Sequence, residues 1–225
     1  MFIGHYGLAL AAKRAAPATS LGTLTLSTEF LDLIWPIFLL LGLEHVRIAP
    51  GITRVSPFDF YDYPISHSLA TVIGWAALVG FIYFRARRYR QGAWVVAAGV
   101  LSHWVLDALV HRPDLPLAPG VDIYVGLGLW NSLAATLVAE FGIFFGGLLI
   151  YLQTTKPVDR IGLYGFWGFI VFLLIAFLSA TFSKPPENVS QLAWMGLALW
   201  LTPLWAGWAD KHRVARDSSS VEESA

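Results

Sequence analysis

The sequence contains no cysteine, which excludes disulfides, thiolate metal sites and cysteine nucleophiles and leaves the redox character of its compartment open. Charge is also scarce. Only 13% of the 225 residues are Asp, Glu, Lys or Arg, against roughly 25% in soluble globular domains. The 15 basic and 15 acidic side chains cancel, so net charge gives no case for a nucleic acid partner, and each charge has to be read by position. No internal repeat is visible, which leaves inverted-repeat transporter architecture without support. No G-x-S-x-G pattern occurs, which disfavours a serine-hydrolase mechanism. A cleaved signal peptide is not expected: Met1 to Ala12 carries no basic residue, and Lys13 and Arg14 follow the apolar stretch instead of preceding it. The mature chain is therefore expected to start near Met1.

Apolar residues are abundant, at 56% of the chain. A membrane span needs about 20 mostly apolar residues, and segments 22–43, 65–84, 93–110, 129–152, 161–182 and 190–208 supply them. The expected fold is an all-α membrane protein, a bundle of about six transmembrane helices in the lipid bilayer. Met1 to Ala12 is too short to cross and is expected to form a partial or re-entrant helix against the first span. Basic residues concentrate in cytoplasmic loops, and with both termini inside, Lys13, Arg14, Arg85, Arg87, Arg88, Arg90, Lys156, Arg160, Lys211, Arg213 and Arg216 fall there. Only Arg47, Arg54, Arg112 and Lys184 fall outside. Trp94, Trp200, Trp205 and Trp208 fit an aromatic belt on the cytoplasmic face. Residues 1–210 read as one polytopic domain, and 211–225, with its run of Ser and Glu, as a disordered cytoplasmic tail.

Ionisable groups inside spans are costly, and each is a candidate functional residue. His103 and Asp107 are four apart in Leu101-Ser102-His103-Trp104-Val105-Leu106-Asp107, so they share a helical face and can share an ion or a hydrogen bond. His111 continues that face, where Pro113 signals the helix end. Asp32 sits in the first span, three residues after Glu29 and on the same face, and His67 opens the second span in Ser66-His67-Ser68. His5 stands in Gly4-His5-Tyr6-Gly7. Helical rise puts Asp32, His103 and Asp107 roughly 15 to 21 Å from the cytoplasmic edge, His5 at roughly 12 Å and His67 at roughly 26 Å. Convergence of the five then requires tilted helices. Three imidazoles and two carboxylates form a nitrogen and oxygen set suited to zinc, manganese or non-haem iron. Five candidates exceed the three protein ligands of a typical catalytic zinc, so either two metals bind or some of the five support the ligands from behind. The plainer alternative is that Asp107 merely holds His103 in a buried polar contact.

Gly4-His5, Phe30-Leu31-Asp32, Ser66-His67-Ser68 and Ser102-His103 with Asp107 occur in the same order as the motifs of the bacterial inner-membrane-bound metal-dependent hydrolases that include LexA-binding membrane proteins. The first 120 or so residues resemble that family. The resemblance implies a bacterial inner-membrane location, a metal site at His5, Asp32, His67, His103 and Asp107, and hydrolysis of a substrate it does not specify. Two departures stand out: the family's second Asp beside the one matched by Asp32 is absent, and Asp62-Tyr63-Pro64 replaces a His-Arg-Gly.

In the hydrolase reading, a divalent metal, zinc ahead of manganese or iron, activates water and polarises a phosphoryl or acyl oxygen while a carboxylate moves protons. Asp62, Asp114 and Glu140 are the candidates for that base, and a site at membrane depth favours a lipid or lipid-linked substrate. The alternative is a transporter in which Asp32, His103, Asp107 and Glu140 form an ion or proton pathway. A third reading is a scaffold whose polar groups lock helices together, each contact being worth about 0.6 to 2 kcal/mol.

Overall fold

The computed structural model describes residues 1–216 and is predominantly helical. Four helices are long and apolar enough to cross a membrane: α5 (Leu69–Arg87), α6 (Arg90–Val110), α7 (Leu133–Thr154) and the continuous helix Ile161–Phe182, which opens with a π turn at Ile161–Gly165 and runs on as α8 (Phe166–Phe182). They account for four of the six expected segments. The chain is thus a membrane protein, but six uninterrupted spans are not what it forms.

Both remaining segments are broken, and local chemistry explains where. The first is split into α2 (Leu21–Thr28) and α3 (Phe30–Leu40), bent by 56° at Glu29. Near the break, the Ser27 hydroxyl donates to Leu24 O at 2.7 Å and Thr28 to Thr25 O at 3.3 Å, side-chain back-bonds that bend helices. Counted as one span, the pair makes a fifth crossing. The last segment resolves into α9 (Val189–Leu197), a 3-10 turn at Ala198–Trp200 and α10 (Leu201–Asp210). Pro203 sits four residues beyond Leu199, where its ring displaces that carbonyl from helical pairing.

Met1 to Ala12 is helical as expected, but its principal neighbour is α7, with the first span second. It forms most of α1 (Ile3–Ala15), a 13-residue helix buried on the face carrying Ile3, His5, Tyr6 and Leu10. Two glycines allow that burial: a Cβ on Gly147 of α7 would lie 1.9 Å from Gly7 O, and one on Gly7 would lie 2.6 Å from Ile143 O. The α1 and α7 backbones therefore touch, as small residues permit in membrane interiors. Phe144, Leu148, Tyr151, Phe166, Phe169, Ile170 and Leu173 continue that apolar core into α8. An antiparallel contact of the same kind joins α2 to α10, where a Cβ on Gly22 would lie 2.5 Å from Pro203 O.

Two small hairpins and one two-stranded sheet between distant segments close the ends of the bundle. Strands β1 (His45–Ile48) and β2 (Phe58–Asp62) pair antiparallel, as do β3 (Leu115–Pro116) with β4 (Tyr124–Val125). Between β2 and α5 lies the single turn α4 (Pro64–His67), opened by Pro64 and separated from α5 by extended Ser68, whose hydroxyl caps α5 by accepting from Thr71 N. Strand β5 (Thr155–Pro157) pairs with β6 (Arg213–Ala215), so the segment expected to be a disordered tail begins with a strand held by Arg213, which donates to Thr155 Oγ1 and Gly162 O. The Ser- and Glu-rich remainder, 217–225, lies outside the described residues.

Candidate metal centre

His5, Asp32, His67, His103 and Asp107, drawn from α1, α3, α4 and α6, meet at one place. Ligand atoms of His5, His103 and Asp107 lie within 4.8 Å of one another, and so do those of Asp32, His67 and His103. His103 belongs to both sets. The spread of depths estimated from straight helices is removed by the turn at α4: extended Ser68 takes His67 off the α5 axis and sets it beside α3 and α6.

The imidazoles are held in defined tautomers. His103 Nδ1 lies 2.6 Å from Thr28 O. A carbonyl only accepts, so Nδ1 carries the hydrogen, and in the neutral ring Nε2 is left with its lone pair. The carbonyl that fixes it belongs to the last residue of α2, at the break in the first span. For His67, Nδ1 lies 2.6 Å from Ser66 Oγ, whose hydroxyl in turn donates to Glu44 Oε2 at 2.6 Å. With its one hydrogen so committed, Ser66 accepts from Nδ1–H, and in the neutral ring His67 Nε2 also presents a lone pair.

Both lone pairs face carboxylate oxygens. His103 Nε2 is 3.2 Å from Asp107 Oδ2 and 3.7 Å from Asp32 Oδ1. His67 Nε2 is 3.5 Å from Asp32 Oδ1 and 3.8 Å from Asp107 Oδ2. Despite this proximity His103 Nε2 is buried without a hydrogen-bond partner, as is His5 Nδ1. In the neutral rings these Nε2 atoms and the carboxylate oxygens are all acceptors, an arrangement that a proton or a metal cation between them would satisfy. The donor set, imidazole nitrogen and carboxylate oxygen without sulfur, fits zinc and also manganese or iron.

His5 completes the group. Its Nε2 is 3.2 Å from Asp107 Oδ1, and its ring lies on that of His103 with centroids 3.8 Å apart. The Met1 amino group also contacts Asp107 Oδ1. Of the five side chains only Asp32 is open, at 30% exposure against 5% or less for the others.

The three candidate bases are dispersed. Asp62 lies at the end of β2 and pairs with His45 Nδ1 at 2.7 Å on the exposed surface of the hairpin, and it belongs to neither ligand set among the described residues. Glu140 points at the start of α1 and accepts from Phe2 N at 2.7 Å and Gly4 N at 2.8 Å. Its geometry is that of a clamp on a helix end, where backbone N–H groups lack helical partners. Asp114 lies behind His111 instead: Oδ1 is 2.9 Å from His111 Nδ1, and Oδ2 takes Arg112 Nε at 2.9 Å. His111 Nε2 faces the site, 4.0 Å from Asp107 Oδ2. Burial holds the His111 imidazole below the ordinary histidine range. Burial, with the Asp114 charge beside it, raises the Tyr63 phenol well above its ordinary range, so Tyr63 stays a neutral donor to Asp114. Phe60, Tyr63 and Trp130 pack around His111 and roof the site.

Glu44, Thr28 and Tyr63 were not singled out by sequence reasoning. Glu44 follows an apolar run and Thr28 sits within one; neither spacing nor residue type marks them, because their partners come from distant elements. Comparison of the chain with protein-family models, with curated protein sequences and with solved structures gives no match.

Proposed function

We propose that the chain is a membrane-embedded metal-dependent hydrolase of the inner-membrane-bound type that its ordered motifs resemble, with His5, Asp32, His67, His103 and Asp107 holding a divalent metal, zinc ahead of manganese or iron. The observation that carries this reading is that His67 and His103 each have Nδ1 held from behind, by Ser66 and by Thr28 O, and Nε2 turned to the carboxylates of Asp32 and Asp107. A mere buried contact between His103 and Asp107 would align a ring N–H with a carboxylate oxygen, whereas His103 Nε2 has no such bond.

When bound there, a divalent metal supplies Lewis acidity, drawing electron density from a substrate oxygen and making water more acidic. The chain supplies the rest. His111 is the proton acceptor of the proposal: Asp114 receives its Nδ1–H, which leaves Nε2 toward the site. Asp114 thus positions the base, Glu140 fixes the end of α1 that carries His5, and Asp62 takes no part. Asp32, the one open ligand, marks the side from which substrate approaches. A lipid or lipid-linked ester or phosphoester is the substrate class that suits a site among apolar helices.

The membrane arrangement completes the proposal: a bacterial inner membrane, about six crossings with the broken first and last segments counted, and both termini cytoplasmic. The turn between α5 and α6 carries Arg85, Arg87, Arg88 and Arg90, and the site lies toward the opposite ends of those helices. The break at Glu29 favours a second reading, since interrupted spans form the ion sites of transporters.

Reconstitution into phospholipid vesicles separates the two. A hydrolase releases a water-soluble head group or a free fatty acid in a reaction abolished by chelation and restored by metal. Flux of metal ions or protons without any such product would replace this reading with the transporter.

A further inference from the structure

Glu44 is 1% exposed and lies just beyond α3, far in sequence from the ligands. Its Oε1 accepts from Ile65 N and Ser66 N, both at 2.7 Å, and its Oε2 accepts the Ser66 hydroxyl at 2.6 Å. Ser66 Oγ is in turn 2.6 Å from His67 Nδ1. From the geometry we infer that Glu44 is a positioning residue that sets the tautomer of His67 through Ser66 and so controls its competence as a metal ligand. This rests on the metal reading above.

The direction of every hydrogen in the chain follows from the carboxylate. A carboxylate has only acceptors, and both backbone N–H groups and the Ser66 O–H point toward that of Glu44. Ser66 Oγ then has lone pairs alone for His67, Nδ1 must donate, and Nε2 of the neutral ring is bare. A carboxylate acting on a metal-bound imidazole through its far nitrogen orients the ring and raises its basicity; here a serine hydroxyl is interposed. Backbone hydrogen bonds alone would explain a clamp on α4. They do not explain why the second oxygen goes to the one hydroxyl in contact with a ligand histidine.

Glu44→Gln makes the distinction, because its shape is nearly unchanged while one oxygen becomes a donor. The remaining carbonyl oxygen keeps Ile65 N and Ser66 N, so the new NH2 faces Ser66 Oγ. Ser66 then accepts from Gln and turns its own hydrogen toward His67 Nδ1, which pushes the ring proton to Nε2 and removes the lone pair. An altered tautomer from a single carboxylate-to-amide change is a known way to disable a histidine that remains in place.

The readouts are the imidazole 15N shifts of His67 in the metal-free protein and the zinc dissociation constant by chelator competition, for wild type, Glu44→Gln, Ser66→Ala and the double variant. Wild type should show Nδ1–H, and Glu44→Gln should show Nε2–H with zinc affinity weakened 10- to 100-fold. Ser66→Ala removes the link, so adding Glu44→Gln to it should cost no further affinity. Unchanged tautomer and unchanged affinity in Glu44→Gln, or an equal loss in the presence and absence of Ser66, would overturn the inference and leave Glu44 a clamp. A wild type that binds no zinc, manganese or iron defeats the metal reading itself, while the 15N shifts still decide what Glu44 does to His67.

Discussion

The imidazoles of His5 and His103 lie face to face, with ring centroids 3.8 Å apart and planes 3° from parallel. The first belongs to a short helix that does not cross the membrane and the second to one long enough to do so. Their stacking makes the placement of α1 part of the site, so contacts that hold α1 should control metal binding from a distance.

Gly147 is the most direct test of that dependence. A Cβ at this position would lie 1.9 Å from Gly7 O, against backbone that cannot yield, so Gly147→Ala should separate α1 from α7 and move His5 away from His103. We expect zinc affinity to fall at least 10-fold although residue 147 is not a ligand, whereas Gly146→Ala, which meets nothing within 4 Å, should leave it unchanged. Chelator competition on the purified proteins gives the answer.

Glu140 should matter for stability before it matters for chemistry. Glu140→Ala strands the buried N–H of Gly4 and the partly buried N–H of Phe2, and a buried unsatisfied donor costs about 1 to 3 kcal/mol. Thermal unfolding in detergent should show a melting temperature several degrees lower. Glu140→Gln, which keeps one acceptor, should recover part of the loss.

Asp62 is expected to be dispensable. Its partner is the exposed His45, and such surface pairs contribute about 0 to 1 kcal/mol. Asp62→Asn should leave metal content at the wild-type level; a loss equal to that of a ligand variant would put Asp62 back in the site.

Acid should also act at the other end of the bundle, through Asp159. Asp159 accepts Gly162 N at 2.8 Å and lies 2.6 Å from His212 Nδ1, contacts that hold its carboxyl below the ordinary carboxylate range, the backbone bond foremost. A lowered folded value means that the stabilisation is present above the unfolded pKa of about 3.9 and is lost as pH falls through the lower folded value. The protection of the Gly162 amide against hydrogen exchange, relative to an unstructured amide at the same pH, should therefore fall below about pH 4 in the wild type, and Asp159→Asn should flatten that dependence.

The cost of burying charge made much of this site legible before any coordinates. His103 and Asp107 are conspicuous because little else in their helix is ionisable, and their spacing of four puts them on one face. The bundle was legible for a similar reason, since runs near 20 apolar residues have few soluble explanations. The breaks at Glu29 and at Ala198–Trp200 were not, because an apolar run looks the same whether it is straight or bent. Asp62 and Glu140 show what sequence leaves out: it shows that an acid is present, but only packing shows that one contacts His45 and the other the start of α1. Glu44 is hidden for the same reason, its partners lying 21 and 22 residues away.

The most direct test of the metal centre is elemental analysis of the detergent-purified protein beside His103→Ala and Asp107→Ala, at matched folded yield by circular dichroism. Near-stoichiometric zinc, manganese or iron in the wild type, removed by both substitutions, is the predicted result. A wild type that stays metal-free after reconstitution with each of the three would contradict the central claim and reduce the five residues to a buried polar lock between helices.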